Sequence, residues 1–234
     1  MADKMDVRSL FEDDLHNGLV CKEDFSEYLI GYVINRNHVE LDRISQLVIQ
    51  CQSSLLFENM KNSTDEAGFL VHQWSLEKLK DILSSPQSTL ICIVDTAENR
   101  LAGYLLLTSI EYFHKDTDSQ HGELILDKNS ITDQQWIQWT SSPAIHYIKQ
   151  IGVNKNYHRR GIATHLINLA KLQSSQGLCT LVIVAPYCNA ASANCFRKNQ
   201  FQPIADWNQK ISEGFVPFTA TLFLWPSVMS HNVG

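Results

Sequence analysis

One segment of the chain combines an apolar strand pattern, a basic turn with a glycine and the start of an amphipathic helix. It runs from Ile151 to Thr164, with Arg159, Arg160 and Gly161 at the turn. The first N–H groups of a helix have no carbonyl partner within the helix, and the helix dipole makes that end positive. Such an end binds phosphate through the backbone, and a glycine lets the ligand come close. The segment therefore predicts a diphosphate-binding site.

The spacing His158-Arg-Arg-Gly-Ile-Ala163 resembles the acetyl-CoA signature Q/R-x-x-G-x-G/A of the GNAT superfamily of N-acetyltransferases, with His158 departing at the first position. The resemblance implies that backbone N–H groups bind the CoA diphosphate and that the preceding strand pairs with the pantetheine arm. The N–H of Val153 would polarise the thioester carbonyl. Gly152 fits a bulge or a close approach of the ligand. The cofactor-binding residues implied here are Ile151, Gly152, Val153, His158, Arg159, Arg160, Gly161, Ile162, Ala163 and Thr164, with Lys155 near the phosphates.

A second stretch, beginning at Asn189, resembles the GNAT pattern N-x-x-A-x-x-x-Y-x-x-x-G-F. The resemblance implies that Asn189, Ser192 and Phe196 also contact the cofactor. Phe196 stands where the family usually has Tyr, and Gln200 where it usually has Gly. The family's Tyr often protonates the departing thiolate, which a phenyl ring cannot do, although a thiolate can leave without an acid. Cys195, next to Phe196, is expected to pack in the core.

Three residues are candidates for the general base that takes a proton from the attacking amine. Tyr147 holds the strand position, six before Val153, at which some GNAT members carry Glu or His. His146 is chemically better suited, but strand alternation places it on the opposite face unless a bulge intervenes. Glu111 follows a predicted strand. The choice among the three stays open.

Composition excludes several other classes of protein. The 234 residues are 44% hydrophobic and 19% charged, as in a single globular domain. A formal net charge of −6 argues against a nucleic-acid surface. The six cysteines form no C-x-x-C pair, and His114 and His121 have no matching ligands, so no metal site is expected. With no signal-peptide pattern and no apolar run of about 18 residues, we expect a cytoplasmic protein that does not enter a membrane.

Periodicity and turn residues predict the order of helices and strands. The first expected elements are a strand at 6–11 or instead at 28–34, and a helix capped by Asn37 with Leu41, Ile44, Val48 and Cys51 on one apolar face. They are followed by a surface loop at 62–68, a helix capped by Ser75 and ending before 84–86, and a hairpin of strands 89–95 and 101–109. The remaining elements are a long polar segment at 110–143, a strand at 144–153, a helix to Gln173 stopped by Gly177, a strand at 179–185, a helix capped by Asn189 and running to Lys198, and strands at 201–206 and 215–224. This order matches the GNAT arrangement. The resemblance to that family implies an α/β fold of the α+β type, with a mixed, splayed sheet flanked by helices and an N-terminal helical addition.

The resemblance implies one acetyltransferase domain over residues 1–234. Residues 1–85 diverge from the family, 110–143 form an insertion expected to shape the acceptor site, and 144–201 form the acetyl-CoA-binding core. The implied activity is acetyl-CoA-dependent transfer to a primary amine by direct attack, on a small molecule or a peptide or protein amine. The alternative is a non-catalytic acyl-CoA-binding or regulatory protein, which the residue Phe196 favours. Oligomeric state cannot be read from the sequence.

Overall fold

The computed structural model describes residues 6–12, 18–56, 70, 73–210 and 217–226. The chain divides into two compact units. The first contains the described residues up to Leu107 together with Gln150–Ala170, and the second contains Thr108–Lys149 and the described residues from Lys171 onward. The surface loop predicted at 62–68 lies outside the described residues.

The helices and strands are numbered in chain order. They are α1 Ser9–Glu12, β1 Leu19–Asp24, β2 Leu29–Ile34, α2 Leu41–Ser53, α3 Leu76–Ser84, β3 Thr89–Asp95, β4 Arg100–Ser109, α4 Ile110–Asp116, β5 Gly122–Leu126, α5 Asp133–Thr140, β6 Ile145–Val153, a 3₁₀ turn Lys155–Tyr157, α6 Ile162–Gln173, β7 Gly177–Ala185, α7 Ala190–Lys198, β8 Gln202–Gln209 and β9 Thr219–Pro226.

In the first unit, β1, β2, β3 and β4 pair antiparallel in that order. β3 and β4 form the predicted hairpin, and nearly every residue of both is buried. Such continuously apolar strands are typical of a sheet covered on both faces. The end of β6 lies beside β4, where the N–H of Asn154 donates to the carbonyl of Ala102 at 2.9 Å. In the predicted apolar face of α2, Ile44, Val48 and Cys51 are buried and Leu41 is half-buried.

The prediction of a strand at 6–11 is wrong, and the alternative first strand at 28–34 is confirmed as β2. α1 begins at Ser9, and its adjacent residues Leu10 and Phe11 are both buried. A strand would have pointed the two side chains to opposite faces. The ring of Phe11 stacks on Tyr32 of β2 at 4.6 Å between centroids. The N-terminal part thus contributes strands as well as helices.

Of the two predicted caps in this unit, one is wrong and one is confirmed. α2 begins after Glu40, which makes no side-chain cap bond, and Asn37 lies earlier, with its N–H donating to the Asn35 side chain. The Ser75 hydroxyl accepts from the N–H of Lys78 at 3.1 Å, as a helix cap does.

In the second unit the strand order is β6, β7, β9, β8, β5. β6 and β7 run parallel, and the other neighbours are antiparallel. The β6–β7 register extends only from Ile145↔Gly177 to Ile148↔Thr180, although β6 continues to Val153 and β7 to Ala185. The predicted mixed, splayed sheet flanked by helices is therefore confirmed, and most of its neighbouring strands pair antiparallel.

Residues 110–143 are structured rather than a long polar connection. They form α4, β5 and α5, and α5 begins with a capping box between Thr132 and Gln135. Phe113 and Trp139 from these helices are buried in the core of this unit together with Tyr147 of β6. Sequence periodicity missed these elements because each is too short to show more than two helical turns or a few strand alternations.

Gly177 does not stop a helix, contrary to the prediction. α6 ends at Gln173, and Gly177 is the first residue of β7, with a φ of 153°. A Cβ at this position would lie 2.9 Å from the carbonyl oxygen of Trp225 on β9. The glycine is therefore required by close strand packing.

Candidate functional site

The basic turn between β6 and α6 has the geometry expected of an anion-binding loop. After the 3₁₀ turn Lys155–Tyr157, Arg159 and Gly161 both adopt left-handed backbone conformations, with φ of 63° and 80°. α6 then begins at Ile162. Lys155, Arg159, Arg160 and Gly161 are exposed. The turn thus presents positive charge beside the N–H groups of the first turn of α6.

Hydrogen bonds inside the turn hold it in this conformation. The Asn154 side chain accepts from the N–H of Asn156 at 3.1 Å. The His158 ring bonds the carbonyl of Val153 at 2.9 Å, and because a carbonyl only accepts, Nε2 is the donor. His158, the departure from the family signature, therefore has a defined role here: it fastens the turn to the end of β6.

Tyr157 anchors the turn to β3. Its hydroxyl donates to the Asp95 carboxylate at 2.9 Å, and Asp95 is only 8% exposed. Burial, followed by the bond to Asp95, raises the pKa of Tyr157, so the hydroxyl keeps its proton and stays a donor. The guanidinium of Arg160 lies 5.3 Å from the centre of the Tyr157 ring, within cation–π range.

Gly161 leaves space where a ligand would approach. A Cβ built there would find only the Nε2 of His165, at 3.9 Å, within 4 Å. The positive φ also disfavours any residue with a side chain. An open glycine directly after two exposed arginines, at the start of a helix, fits a diphosphate. Of the other residues assigned here, Ile162 is buried, Ala163 half-buried and Thr164 exposed.

Gly152 has a different explanation from the one predicted. A Cβ there would lie 2.5 Å from the ring of Tyr104 and 3.0 Å from the side chain of Leu55. The group that comes close to this glycine is therefore Tyr104 on β4, within the chain itself. Ile151 and Val153, on either side, are half-buried.

The second motif lies in the other unit. Asn189 caps α7 as predicted, with its side chain accepting from the N–H of Ser192 at 3.3 Å. Phe196 is 2% exposed, and its ring is 5.1 Å from that of Phe201, centre to centre. This core packing accounts for an apolar ring at 196. Gln200 has a φ of 67°, which explains why the family places glycine here.

The three candidate bases also belong to the second unit. Tyr147 is buried, and burial, aided by Asp116, raises its pKa well above the ordinary value, so it stays protonated. Burial lowers the pKa of His146, which keeps this ring neutral at pH 7. His146 Nδ1 lies 3.3 Å from the Ser174 hydroxyl. Glu111 is exposed in the first turn of α4. Their roles stay predictions.

Sequence reasoning missed an ion pair beside Tyr147. Lys149 donates to both carboxylate oxygens of Asp116, at 2.6 and 2.8 Å. Its ammonium lies 5.8 Å from the ring centres of Tyr112 and Tyr147. Strand alternation places Tyr147 and Lys149 on one face of β6, so the sequence could have indicated that Lys149 lies beside Tyr147. The position of Asp116 could not be predicted, because this residue ends a helix that was not predicted.

Six free cysteines include the buried Cys51, Cys92 and Cys179 and the half-buried Cys195. Burial raises the pKa of Cys195. No group of three or more His, Cys, Asp or Glu in the described part of the chain is arranged to hold a metal ion. No helix among the residues placed by the structure is long and apolar enough to cross a membrane.

The model of the acetyltransferase (GNAT) family matches residues 56–201, which is more than half of the 234 residues. The chain belongs to the GNAT family. The matched range of this GNAT chain contains the glycine turn and the whole Asn189 motif. No curated protein sequence matches it.

Solved structures with low sequence identity share the fold of this GNAT chain. Arabidopsis thaliana NAA60 in complex with acetyl-CoA is 15% identical, with a TM-score of 0.50, over 85% of this chain and 98% of that one. The ribosomal-protein-S18-alanine N-acetyltransferase from Escherichia coli is 10% identical, with a TM-score of 0.51, over 87% and 98%. A probable acetyltransferase from Staphylococcus epidermidis is 12% identical, with a TM-score of 0.50, over 85% and 99%. At these identities the likeness concerns the fold alone.

Proposed function

We propose that this GNAT protein is an acetyl-CoA-dependent N-acetyltransferase that moves an acetyl group to a primary amine by direct attack. The observation that carries the proposal is the braced turn before α6, in which Gly161 opens onto free space beside exposed Arg159 and Arg160. Family membership supports the acetyltransferase chemistry. Acetylation of amines in particular is our inference.

In this proposal the chain holds the diphosphate through the N–H groups that open α6, with Arg159, Arg160 and Lys155 adding positive charge. Acetyl-CoA supplies an activated acyl group as a thioester. The backbone of 151–153 would lie along the pantetheine arm, and the N–H of Val153 would donate to the thioester oxygen. Asn189, Ser192 and Phe196 are further proposed cofactor contacts. The chain would form one functional domain, with 110–143 shaping the acceptor site.

The amine must lose a proton, and His146, Tyr147 and Glu111 remain the candidates. The pKa shifts of Tyr147 and His146 separate the possible roles of these two residues. Tyr147 is protonated at neutral pH and suits a hydrogen-bond donor, whereas His146 is neutral and can accept a proton. His146→Gln should lower kcat for every acceptor if this ring is the base. We propose a cytoplasmic setting because all six cysteines are free.

The test is release of CoA from acetyl-CoA over a panel of amines, with CoA binding measured in parallel by calorimetry. Gly161→Glu places a carboxylate against the diphosphate and should abolish binding. Gln134→Glu, which adds the same charge on the exposed face of α5, is the matched control and should bind normally. Full affinity in Gly161→Glu would refute the assignment of this turn.

A non-catalytic acyl-CoA-binding or regulatory protein is the second candidate, favoured by Phe196. This ring has no proton to give and packs against Phe201. Tight CoA binding without transfer to any amine would support this alternative. Absence of CoA binding would refute both candidates.

A further inference from the structure

Three polar side chains form a buried hydrogen-bonded chain in the first unit. Gln52 of α2 and Tyr104 of β4 are completely buried, and Gln150 of β6 is half-buried. The oxygen Oε1 of Gln150 accepts from Nε2 of Gln52 at 2.8 Å and from the hydroxyl of Tyr104 at 2.8 Å. Buried amides are costly unless they are bonded, so these contacts must compensate for the desolvation of the amides.

A backbone donor fixes the orientation of both glutamines. The N–H of Trp74 donates to Oε1 of Gln52 at 2.9 Å, and a backbone N–H can only donate. The other end of the Gln52 amide is therefore its nitrogen, which must donate to the oxygen of Gln150. Burial raises the pKa of Tyr104 well above the ordinary value, so its hydroxyl is also a donor. Neither amide can be flipped without losing these bonds.

This arrangement leaves the nitrogen of Gln150 on the far side of its amide group. That NH₂ carries two N–H donors and no acceptor capacity. No residue in the described ranges accepts a hydrogen bond from it. The network thus presents a donor of fixed orientation at a half-buried position.

The donor lies next to the strand segment assigned to the cofactor. Gln150 directly precedes Ile151, and at a strand rise of about 3.3 Å per residue its Cα is roughly 10 Å from that of Val153. α6 covers one face of the neighbouring strand, because a Cβ on Gly103 would meet Ile162 at 2.9 Å. Tyr104 and Gln150 lie on the other face. That face is covered by α2 and the turn after it, which contribute Gln52 and Leu55. Gln52 and Tyr104 are fully buried, so the half-buried Gln150 amide is the part of this network that an incoming molecule can meet.

We propose that the Gln150 side chain determines acceptor specificity by donating a hydrogen bond to a carbonyl oxygen of the acceptor. This inference rests on the proposed function. The favoured acceptors are α-amino amides, either single amino-acid amides or peptide N-termini, in which a carbonyl adjoins the carbon that bears the amine. Gln52, Tyr104 and Trp74 act as positioning residues through Gln150.

Gln150→Glu tests the proposal with little change of shape. One carboxylate oxygen still accepts from Gln52 and Tyr104, while the other replaces the NH₂ donor with an acceptor. When the hydrogen-bond donor of a specificity site is lost, the enzyme discriminates strongly against the substrate whose group that donor bonded. For alaninamide and a short alanyl peptide, kcat/KM should fall by about tenfold or more. For isopropylamine, which lacks the carbonyl, kcat/KM should not fall. The two amide substrates distinguish a small-molecule acceptor from a peptide.

Gln150→Met removes the donor without adding charge. It should also lower the ratio of kcat/KM for alaninamide to kcat/KM for isopropylamine. Gln50→Glu, on the exposed side of α2, is the charge control and should leave the ratio unchanged. CoA affinity and thermal unfolding check that each variant is folded. Equal losses for all three acceptors in both Gln150 variants would show a structural role and overturn the inference, as would a wild-type enzyme that prefers isopropylamine. Absence of transfer by the wild type to any amine would instead refute the proposed function.

Discussion

Two substitutions of Gly161 separate the backbone conformation of this residue from the space beside it. Gly161→Ala adds a methyl group that would clash with nothing, because the nearest atom is 3.9 Å away. Its φ of 80° nevertheless disfavours a Cβ by roughly 1–2 kcal/mol. We expect the free energy of unfolding to fall by about this amount. Asn tolerates the left-handed region, so Gly161→Asn should lose less than about 1 kcal/mol.

The effect on CoA binding should have the opposite order. The larger Asn side chain extends into the open space beside the turn, where we place the diphosphate. Displacing one charge-assisted hydrogen bond weakens binding by about 1.5–3 kcal/mol, which is roughly a 10- to 150-fold rise in Kd. The single methyl of Ala should weaken CoA binding less.

The assays are denaturant unfolding without ligand and calorimetric titration with CoA. Stability should decrease from wild type through Gly161→Asn to Gly161→Ala, while CoA affinity should decrease from wild type through Gly161→Ala to Gly161→Asn. Because stability and CoA affinity should fall in opposite orders, a simple loss of folded protein could not explain the weaker CoA binding. Wild-type affinity in the stable Asn variant would show that no ligand comes close to Gly161.

Other predictions concern the remaining features of both units. Gln200→Gly should raise the free energy of unfolding by up to about 1 kcal/mol, because the φ of 67° at this position favours glycine. As a control, Gln134→Gly in α5 should lower the free energy of unfolding by about 1 kcal/mol. Chemical denaturation measures both. Tyr157→Phe removes a donor from the buried Asp95 and should cost about 1.5–3 kcal/mol by the same measurement; an unchanged midpoint would contradict the anchoring role. The pKa of His146 is lowered from 6.5, so stability should fall as pH drops below 6.5, and His146→Gln should reduce that fall in a pH series of melts.

Strong local patterns were enough to predict the strand, turn and helix around Gly161 and the core strands. The β3–β4 hairpin has two apolar runs joined by a polar turn, and α6 has a regular apolar face. Ser75 and Asn189 were recognised as caps because such side chains bond the first N–H groups of a helix. The glycine turn was predictable because Gly161 combines conformational freedom with basic neighbours.

The failures occurred where tertiary contacts decide the outcome. Asn37 is a good capping residue, but its segment forms a turn with Asn35 instead. Gly152 and Gly177 are glycines because Tyr104 and Trp225 come close, and neither neighbour can be identified from local sequence. The Gln52–Gln150 bond joins residues 98 positions apart, a distance at which no periodicity carries a signal.

The hydrogen bonds from His158 to Val153 and from Tyr157 to Asp95 also bear on the thermodynamics of binding. These bonds order the turn when the protein folds, before any ligand arrives. A flexible phosphate loop loses conformational entropy on binding, whereas this one has already lost it. CoA should therefore meet a preorganised turn, and less of the favourable enthalpy of its diphosphate contacts should be offset by the entropy cost of ordering the protein.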